Sequence, residues 1–393
     1  MNIFLKAALK NIFFFFREVI IAIALFPIAM FSRFQKKKID VGLGPHPLIN
    51  NVYHKIALEK QGYSAETFTF RPYYITSKFD VVLSERYDIS SIWGLLKAQV
   101  KLVIIPFKYR ILYIYFNGGS LGQAKIFLWR LEPFFYKIAG IKTVIMPYGS
   151  DVQEMSRCNN LYFKHTMTLS YPDHKVRRKH IAGQIDLWTK YGDHVLGGCE
   201  WVDYMYHWDT LMISHFSIDT EIKGKTIEYK PEGTFKVLHA PNHRALKGTD
   251  FLIKAIEALK TEGLDIELVM LEKVSNEKVI ELIQEVDLVA DQFIIGWYAM
   301  FAIEAMKHKK PVLCYLRQDL IDLYTGAGLI QTDEIPMINT HWTQIQDNIR
   351  TAYNEREKLI AIGEKSREYV VKRHSTEYIG SVFATINKDL IGK

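Results

Sequence analysis

Two short stretches of this 393-residue chain hold residue types whose spacing suits the binding of a phosphorylated substrate. The first is Asn242-His243-Arg244-Ala245-Leu246-Lys247-Gly248, which follows the apolar run FKVLHA (235–240). A strand that ends in such a turn and opens a helix offers an anion both backbone N–H groups and the positive end of the helix dipole. Arg244 and Lys247 add two cations, and Gly248 permits close backbone approach. Basic residues in a surface turn are also commonly just solvated, so the turn alone leaves both readings open. The second stretch is Asp291-Gln292, followed by Gly296-Trp297-Tyr298 and Glu304. An acid where a strand hands over to a helix suits bidentate binding of ribose hydroxyls. The plain alternative is that Glu304 caps or charges the first turn of a helix.

The elements that must position these residues follow from periodicity. In the second half, FKVLHA (235–240), DIELVM (265–270), LVAD (288–291) and PVLCY (311–315) are short apolar runs that predict strands. Between them, Asp250–Lys260 places Phe251, Leu252, Ala255, Ile256 and Leu259 on one face of a helix, with Thr249 as N-cap and Gly263 beyond its end. Residues 341–374 are polar and helical in pattern. In the first half, IDVGLG (39–44), YSAETFTF (63–70), FDVVL (79–83), RILYIYF (110–116) and KTVIMP (142–147) predict strands, with a helix over 52–60. Strands alternating with helices at this spacing predict an α/β protein with parallel sheets. The length calls for two such domains. The expected division is a hydrophobic and basic segment at 1–38, one Rossmann-like domain at 39–218 and a second at 219–374, its strands starting after about Lys225. A tail at 375–393 is expected to cross back to the first domain.

Charge is unevenly placed. Residues 1–150 carry 20 Lys and Arg against 8 Asp and Glu, within a chain whose net charge is only +7. Because the basic residues are mixed with long apolar runs, an anionic membrane surface is the expected partner, and nucleic acid is not. The segment NIFFFFREVIIAIALFPIAMFSRF (11–34) is followed by Lys36, Lys37 and Lys38. Its apolar run, Val19–Phe31, is interrupted by Pro27 and is short of the roughly 20 residues needed to cross a bilayer. A helix lying in the interface is expected, ahead of a true span or a buried core helix, with the body on the cytoplasmic side of the inner membrane. WGLLKAQVKLVIIPFKYR (93–110) is a second amphipathic candidate, with Trp93, Leu95, Leu96, Val100, Val103 and Ile104 set against lysines. Cys158, Cys199 and Cys314 are too far apart in sequence for a metal motif, and the 13 histidines show no HExxH spacing, so neither metal nor cofactor is expected.

Taken together, Lys247-Gly248, Glu304-Ala305-Met306 and Pro311-Val312 resemble the donor-binding half of the large retaining glycosyltransferase family of bacterial polysaccharide and glycolipid enzymes. In the first half, GLGPHPLINNVYHKIALEKQGY resembles that family's opening strand and loop. MPYGSDV resembles the loop that approaches the anomeric centre, and FSIDTE (216–221) its hinge. The resemblance covers about 39–374 and implies the GT-B fold, two Rossmann-like domains facing a cleft. It implies metal-independent transfer from a UDP- or GDP-sugar to a lipid-linked glycan acceptor. It implies catalytic roles for Ser150, Asp151, Arg244 and Lys247. Donor contacts would come from Asn242, His243, Arg244, Lys247, Gly248, Asp291, Gln292, Tyr298 and Glu304. Acceptor contacts would come from Gly44, His46, Asn50, Gly118 and Gly119, the last two in the glycine-rich NGGSLG (117–122), which as a sequence is equally a tight turn or a phosphate cradle. Where the family places a sugar-binding acid this chain has Gly296, with Asp291 or Gln292 as the expected substitute. Two rivals share the fold: a nucleotide-sugar epimerase, and a membrane scaffold without catalysis.

Overall fold

The computed structural model describes residues 3–37, 39–73, 76–84, 92–222 and 232–392, and for 3, 4, 7 and 92–96 the backbone alone. Lys38, Lys225 and the side chains of Trp93, Leu95 and Leu96, all singled out above, lie outside the described residues.

Two separate parallel sheets form. The first contains β1 (Ile39–Leu43), β2 (Ala65–Thr69), β3 (Val81–Val82), β4 (Tyr109–Tyr115), β5 (Lys142–Met146), β6 (His194–Gly197) and β7 (Thr210–Leu211), in the spatial order β3-β2-β1-β4-β5-β6-β7. The second contains β8 (Phe235–His239), β9 (Ile266–Met270), β10 (Leu288–Ala290), β11 (Val312–Cys314) and β12 (Ile338–Asn339), in the order β12-β11-β10-β8-β9. The strands are apolar on both faces because helices cover both faces, as a parallel sheet requires. In each sheet the strand order reverses once, between β1 and β4 and between β8 and β10. Ligands of doubly wound sheets bind beyond the carboxyl ends of the strands at such reversals.

One core follows the outer face of the first sheet and continues into the second unit; a separate cluster joins Val41, Leu43, Tyr113 and Val144 to Ile379, Phe383 and Ile386. The latter three belong to the last helix, Thr376–Ile391, which packs on the helix Ile49–Lys60. There Asn387 Oδ1 accepts from the Tyr113 hydroxyl at 2.9 Å and Lys60 meets Glu377 at 2.6 Å. The chain therefore passes twice between the units. The two crossings pair: Ile218 N donates to His374 O at 2.8 Å, and Thr376 N to Ile218 O at 3.1 Å.

Residues 3–34 form one continuous helix, with Pro27 inside it. Proline removes a single helical hydrogen bond, and the packed helix tolerates that loss. Of this helix, Ala8–Phe34 is long and apolar enough to cross a membrane by length and composition. Its inner side is nevertheless docked on the first sheet's helices. Leu25 and Ala29 are buried there, Ser32 donates to Phe107 O at 3.0 Å, and Lys37 Nζ reaches Ala139 O at 2.7 Å. The buried Glu18 carboxylate accepts from four successive amides, Lys125 through Leu128, at 2.6–3.0 Å, and so caps the helix Leu128–Ile138 from another element. The opposite side exposes Phe13, Phe16, Ile20, Ile23, Phe26 and Phe31.

Candidate active site

Loops at the carboxyl ends of the two sheets face each other. Asn160, after β5, caps the helix Leu161–Ser170 with its oxygen and donates Nδ2 to Ile294 O at 2.7 Å, in the loop after β10. Asp203, after β6, takes a bidentate bond from Arg317, after β11, at 2.7 and 3.1 Å, with both side chains buried. The Tyr324 hydroxyl donates to Cys199 O at 2.6 Å, and the Tyr171 hydroxyl lies 2.5 Å from His243 Nδ1. The floor of this cleft is the reversal point of each sheet.

At the second reversal point lies the basic turn. From Arg244 to Lys247 it is itself a short helix, and Gly248, at φ +78°, joins it to the longer helix Thr249–Thr261. A Cβ at Gly248 would press on Phe293 and Ile294. Thr249 is not the N-cap: it is already helical, and its hydroxyl bonds His239 Nε2 at 2.8 Å beneath the turn. Lys247 Nζ lies 2.5 Å from Asp291 Oδ1, whose side chain is fully buried, and Asp291 Oδ2 also accepts weakly from Ala299 N at 3.4 Å. Asp291 thus aims Lys247 across the end of β10. Arg244 is half exposed, with long contacts to Glu272 and Asp250, and such surface pairs are weak and exchangeable. Asn242 and His243 are exposed, and His243 is engaged by Tyr171.

Glu304 is buried in the helix Met300–Lys307, and Asn276 donates to it at 2.7 Å. Burial pushes its carboxyl up to about 7, although the Asn276 bond opposes this. It sits past the first turn, so neither capping nor dipole compensation accounts for it. Two other donor expectations are corrected. Gln292 donates to Trp297 O and Tyr315 O and accepts from the amides of Ile294, Ile295 and Gly296. Its amide is spent on shaping the 293–297 loop. Tyr298 points into the core, where its hydroxyl meets Tyr369 and His374 at 2.7 and 2.9 Å. Gly296 has φ +104°, and a Cβ there would come within 2.5 Å of Arg317 Cδ. Arg317 occupies the space an acid at 296 would need. Gln292 is engaged by the 293–297 loop and Asp291 by Lys247.

The first sheet's reversal point gathers His46, Asn117, Tyr148 and Ser150. Asn117 Nδ2 lies 3.1 Å from the Tyr148 hydroxyl and 3.5 Å from His46 Nδ1. Burial holds His46 neutral, with its pKa lowered to about 4. Ser150 is exposed at the cleft, 3.4 Å from the Tyr148 hydroxyl. Asp151 is not a free catalytic acid. It is buried and accepts from the amides of Phe116, Tyr148 and Gly149, so it holds the loop that presents Ser150. Gly118 and Gly119 do not cradle a substrate either. The amides of Gly119 and Leu121 close on the internal carboxylate of Glu132 at 3.1 and 2.8 Å. Gly44 is buried, and a Cβ there would strike Phe68 O, while Asn50 is also buried. Its neighbour Asn51 fixes the loop by bonding His46 O and the Tyr115 hydroxyl.

Sequence reasoning missed Glu200, which follows Gly197-Gly198-Cys199 at the end of β6. Burial raises its carboxyl to about 7, with Asp203 pushing the same way and Arg317 and Lys247 opposing. It therefore lies within electrostatic reach of the Lys247 site from the opposite unit. The only sequence signal was an acid directly after a short strand and two glycines. Among the described residues no group of three or more His, Cys, Asp or Glu is placed to hold a metal.

Sucrose-phosphate synthase from Thermosynechococcus elongatus superposes on 90% of this chain and 100% of its own, with a TM-score of 0.55 at 11% identity. This chain has the GT-B fold. Weaker likenesses are a glycosyltransferase from Rickettsia africae (TM-score 0.49, 11% identity, 91% of this chain and 99% of that one) and an S. aureus MnaA–UDP structure (0.48, 13%, 91% and 98%). No protein-family model and no curated protein matches the sequence. The GT-B cleft lies between Lys247 and Asp291 on one side and His46, Ser150 and Glu200 on the other.

Proposed function

We propose that this GT-B protein is a metal-independent, retaining glycosyltransferase. Its donor would be a UDP- or GDP-sugar and its acceptor a lipid-linked glycan at the cytoplasmic face of the membrane, in surface polysaccharide or glycolipid assembly. The observation that carries the reading is the Lys247–Asp291 pair at the reversal point of the second sheet. A buried acid that holds a lysine across strand ends, next to a half-exposed arginine, is an anion site built before the anion arrives. The matches at Lys247-Gly248, Glu304-Ala305-Met306 and Pro311-Val312 support the same reading.

In the transfer, the bond from the anomeric carbon to the diphosphate oxygen breaks, a bond to the acceptor oxygen forms, and the acceptor hydroxyl's proton passes to the departing diphosphate. Lys247 and Arg244 meet the charge that accumulates on the leaving diphosphate. Ser150 orients a hydroxyl at the opposite wall, with Asp151 acting behind it on the loop. Glu200, whose carboxyl burial raises to about 7, is coupled electrostatically to Lys247 across the cleft. The membrane part of the proposal is supported by the N-terminal helix, whose inner side is fastened to the body while its outer side is apolar and exposed. Such a helix lies along an interface more readily than it crosses one.

The structure changes how the proposal should be tested. Lys247→Ala alone strands Asp291 as a buried unpaired charge, which costs about 3–5 kcal/mol of stability and confuses any activity loss. Lys247→Met combined with Asp291→Asn removes both charges. That protein should keep a near-normal melting temperature, lose its thermal shift with UDP-, GDP-, ADP- and CMP-sugars in detergent, and lose about 10²–10³-fold in kcat/KM. An unchanged donor shift in the double variant would sink the assignment.

A further inference from the structure

Beside the acceptor end of the cleft lies a cavity of about 820 Å³, within the roughly 300–1,000 Å³ range typical of small-molecule sites. One wall is the docked side of the N-terminal helix, with Phe14, Ile21, Ala24 and Ile28. The other is the helix Ile92–Ile104, with Val100, Leu102, Val103 and Ile104. Its inner end is formed by His46, Gly119 and Ser120, the loops at the reversal point of the first sheet. The cavity therefore leads from an exposed apolar helix to the place where the acceptor is expected.

Its charge is one-sided. Among the described residues Arg17, Arg71 and Lys125 line it and no Asp or Glu does, the Glu18 carboxylate behind it being taken up by the amides of Lys125 to Leu128. The Nε atoms of both arginines are buried without a hydrogen-bond partner among the described residues. The Arg17 and Arg71 guanidinium groups lie over the rings of the phenylalanines beside them, Phe14 and Phe70. Both arginines are part-exposed at the edge of a largely apolar cavity, and each buries an Nε–H that an anion could satisfy. An apolar chamber with a cationic rim, opening beside a membrane-facing helix, matches a hydrocarbon chain that carries a phosphate.

We infer that this cavity is the acceptor's lipid site. It takes the hydrocarbon chain of a phosphate- or diphosphate-linked lipid, seats the phosphate on Arg17 and Arg71, and directs the headgroup past His46 and Ser120 into the cleft. The inference rests on the transferase reading for the word acceptor, but lipid binding is measurable without any transfer. In this arrangement the N-terminal helix is a wall of the substrate site as well as an anchor.

The test uses the full chain in neutral detergent, with native mass spectrometry counting bound farnesyl phosphate. One bound copy is expected, with farnesol more than tenfold weaker and inorganic phosphate unbound. Val103→Trp, which fills the chamber, and Arg17→Gln with Arg71→Gln, which strips the rim, should each weaken farnesyl phosphate more than tenfold while the nucleotide-sugar thermal shift stays intact. Two independent variants separate loss of the site from disturbed packing, and the retained donor shift reports folding. Equal binding of farnesol, or farnesyl phosphate binding that survives both variants, overturns the site. Loss of the donor shift in the unmodified protein would overturn the transferase reading alone.

Discussion

Glu304 shows how a single side chain can be read two ways until its surroundings are known. Its carboxyl has one described donor, Asn276, and burial lifts it from an ordinary 4.5 to about 7. A raised folded-state pKa means that the native protein binds the proton more tightly than the unfolded chain. The stability this contributes is full below about 4.5 and is lost as pH rises through about 7. Glu304→Gln keeps an oxygen for Asn276 and removes the titration. Its stability relative to the wild type should rise across that window, to at most about 3 kcal/mol at pH 8, as read by urea denaturation at several pH values. Parallel pH profiles for the two proteins would show that the native carboxylate is already ionised. Lys247, Arg244 and Glu304 were expected from the recognisable order of their neighbours, and the structure sets Lys247 and Arg244 at the strand ends and Glu304 buried in its helix. Gln292, Tyr298 and Asp151 were misassigned for a common reason. Each is polar and next to a strand end, yet each turns inward to satisfy loop amides or a buried hydroxyl, and sequence does not record which way a side chain turns.

At the scale of elements, β1 to β5 and β8 to β11 were legible, even the two-residue β3, because each lies in a short apolar run bounded by turn residues. β7 and β12, at two residues each, and the four-residue β6 left no such run, and Glu200 was missed along with β6. The N-terminal helix was legible as apolar but not as two-sided. Glu18, just ahead of the apolar run, is one of the points of attachment. This separates two kinds of substitution. Glu18→Ala leaves four amides at 125–128 without their acceptor and should cost at least about 2 kcal/mol in denaturant unfolding. Phe16→Asp with Ile20→Asp alters only exposed positions. It should leave stability in detergent unchanged and move the protein from the vesicle pellet to the supernatant in co-sedimentation with anionic vesicles. If the double variant still pellets with vesicles, the exposed face is not what holds the membrane.

For the whole molecule, the question is what keeps the cleft closed with no substrate in it. The units are joined by paired crossings at 216–220 and 374–376, which leave them able to rotate, so closure depends on contacts across the cleft. Arg317–Asp203 is a buried ion pair among these contacts, and Gly296 is the residue that makes room for it. The site where the resembling family carries an acid toward the sugar is here given to a bond between domains. A buried pair is expensive to break when its charges stay buried, but hinge opening returns both to water. Asp203→Asn should therefore open the cleft rather than unfold the chain. A loss of about 1–2 kcal/mol shifts a closed-to-open ratio by about 5- to 30-fold. That shift predicts a larger radius of gyration in small-angle scattering and faster hydrogen exchange for the 293–297 amides, with the melting temperature little changed. Added UDP, which would bind the second unit's site, should not reverse the change unless it also touches the first unit. A variant with unaltered scattering and exchange would mean that the Asn160, Tyr171 and Tyr324 contacts hold the cleft without the ion pair.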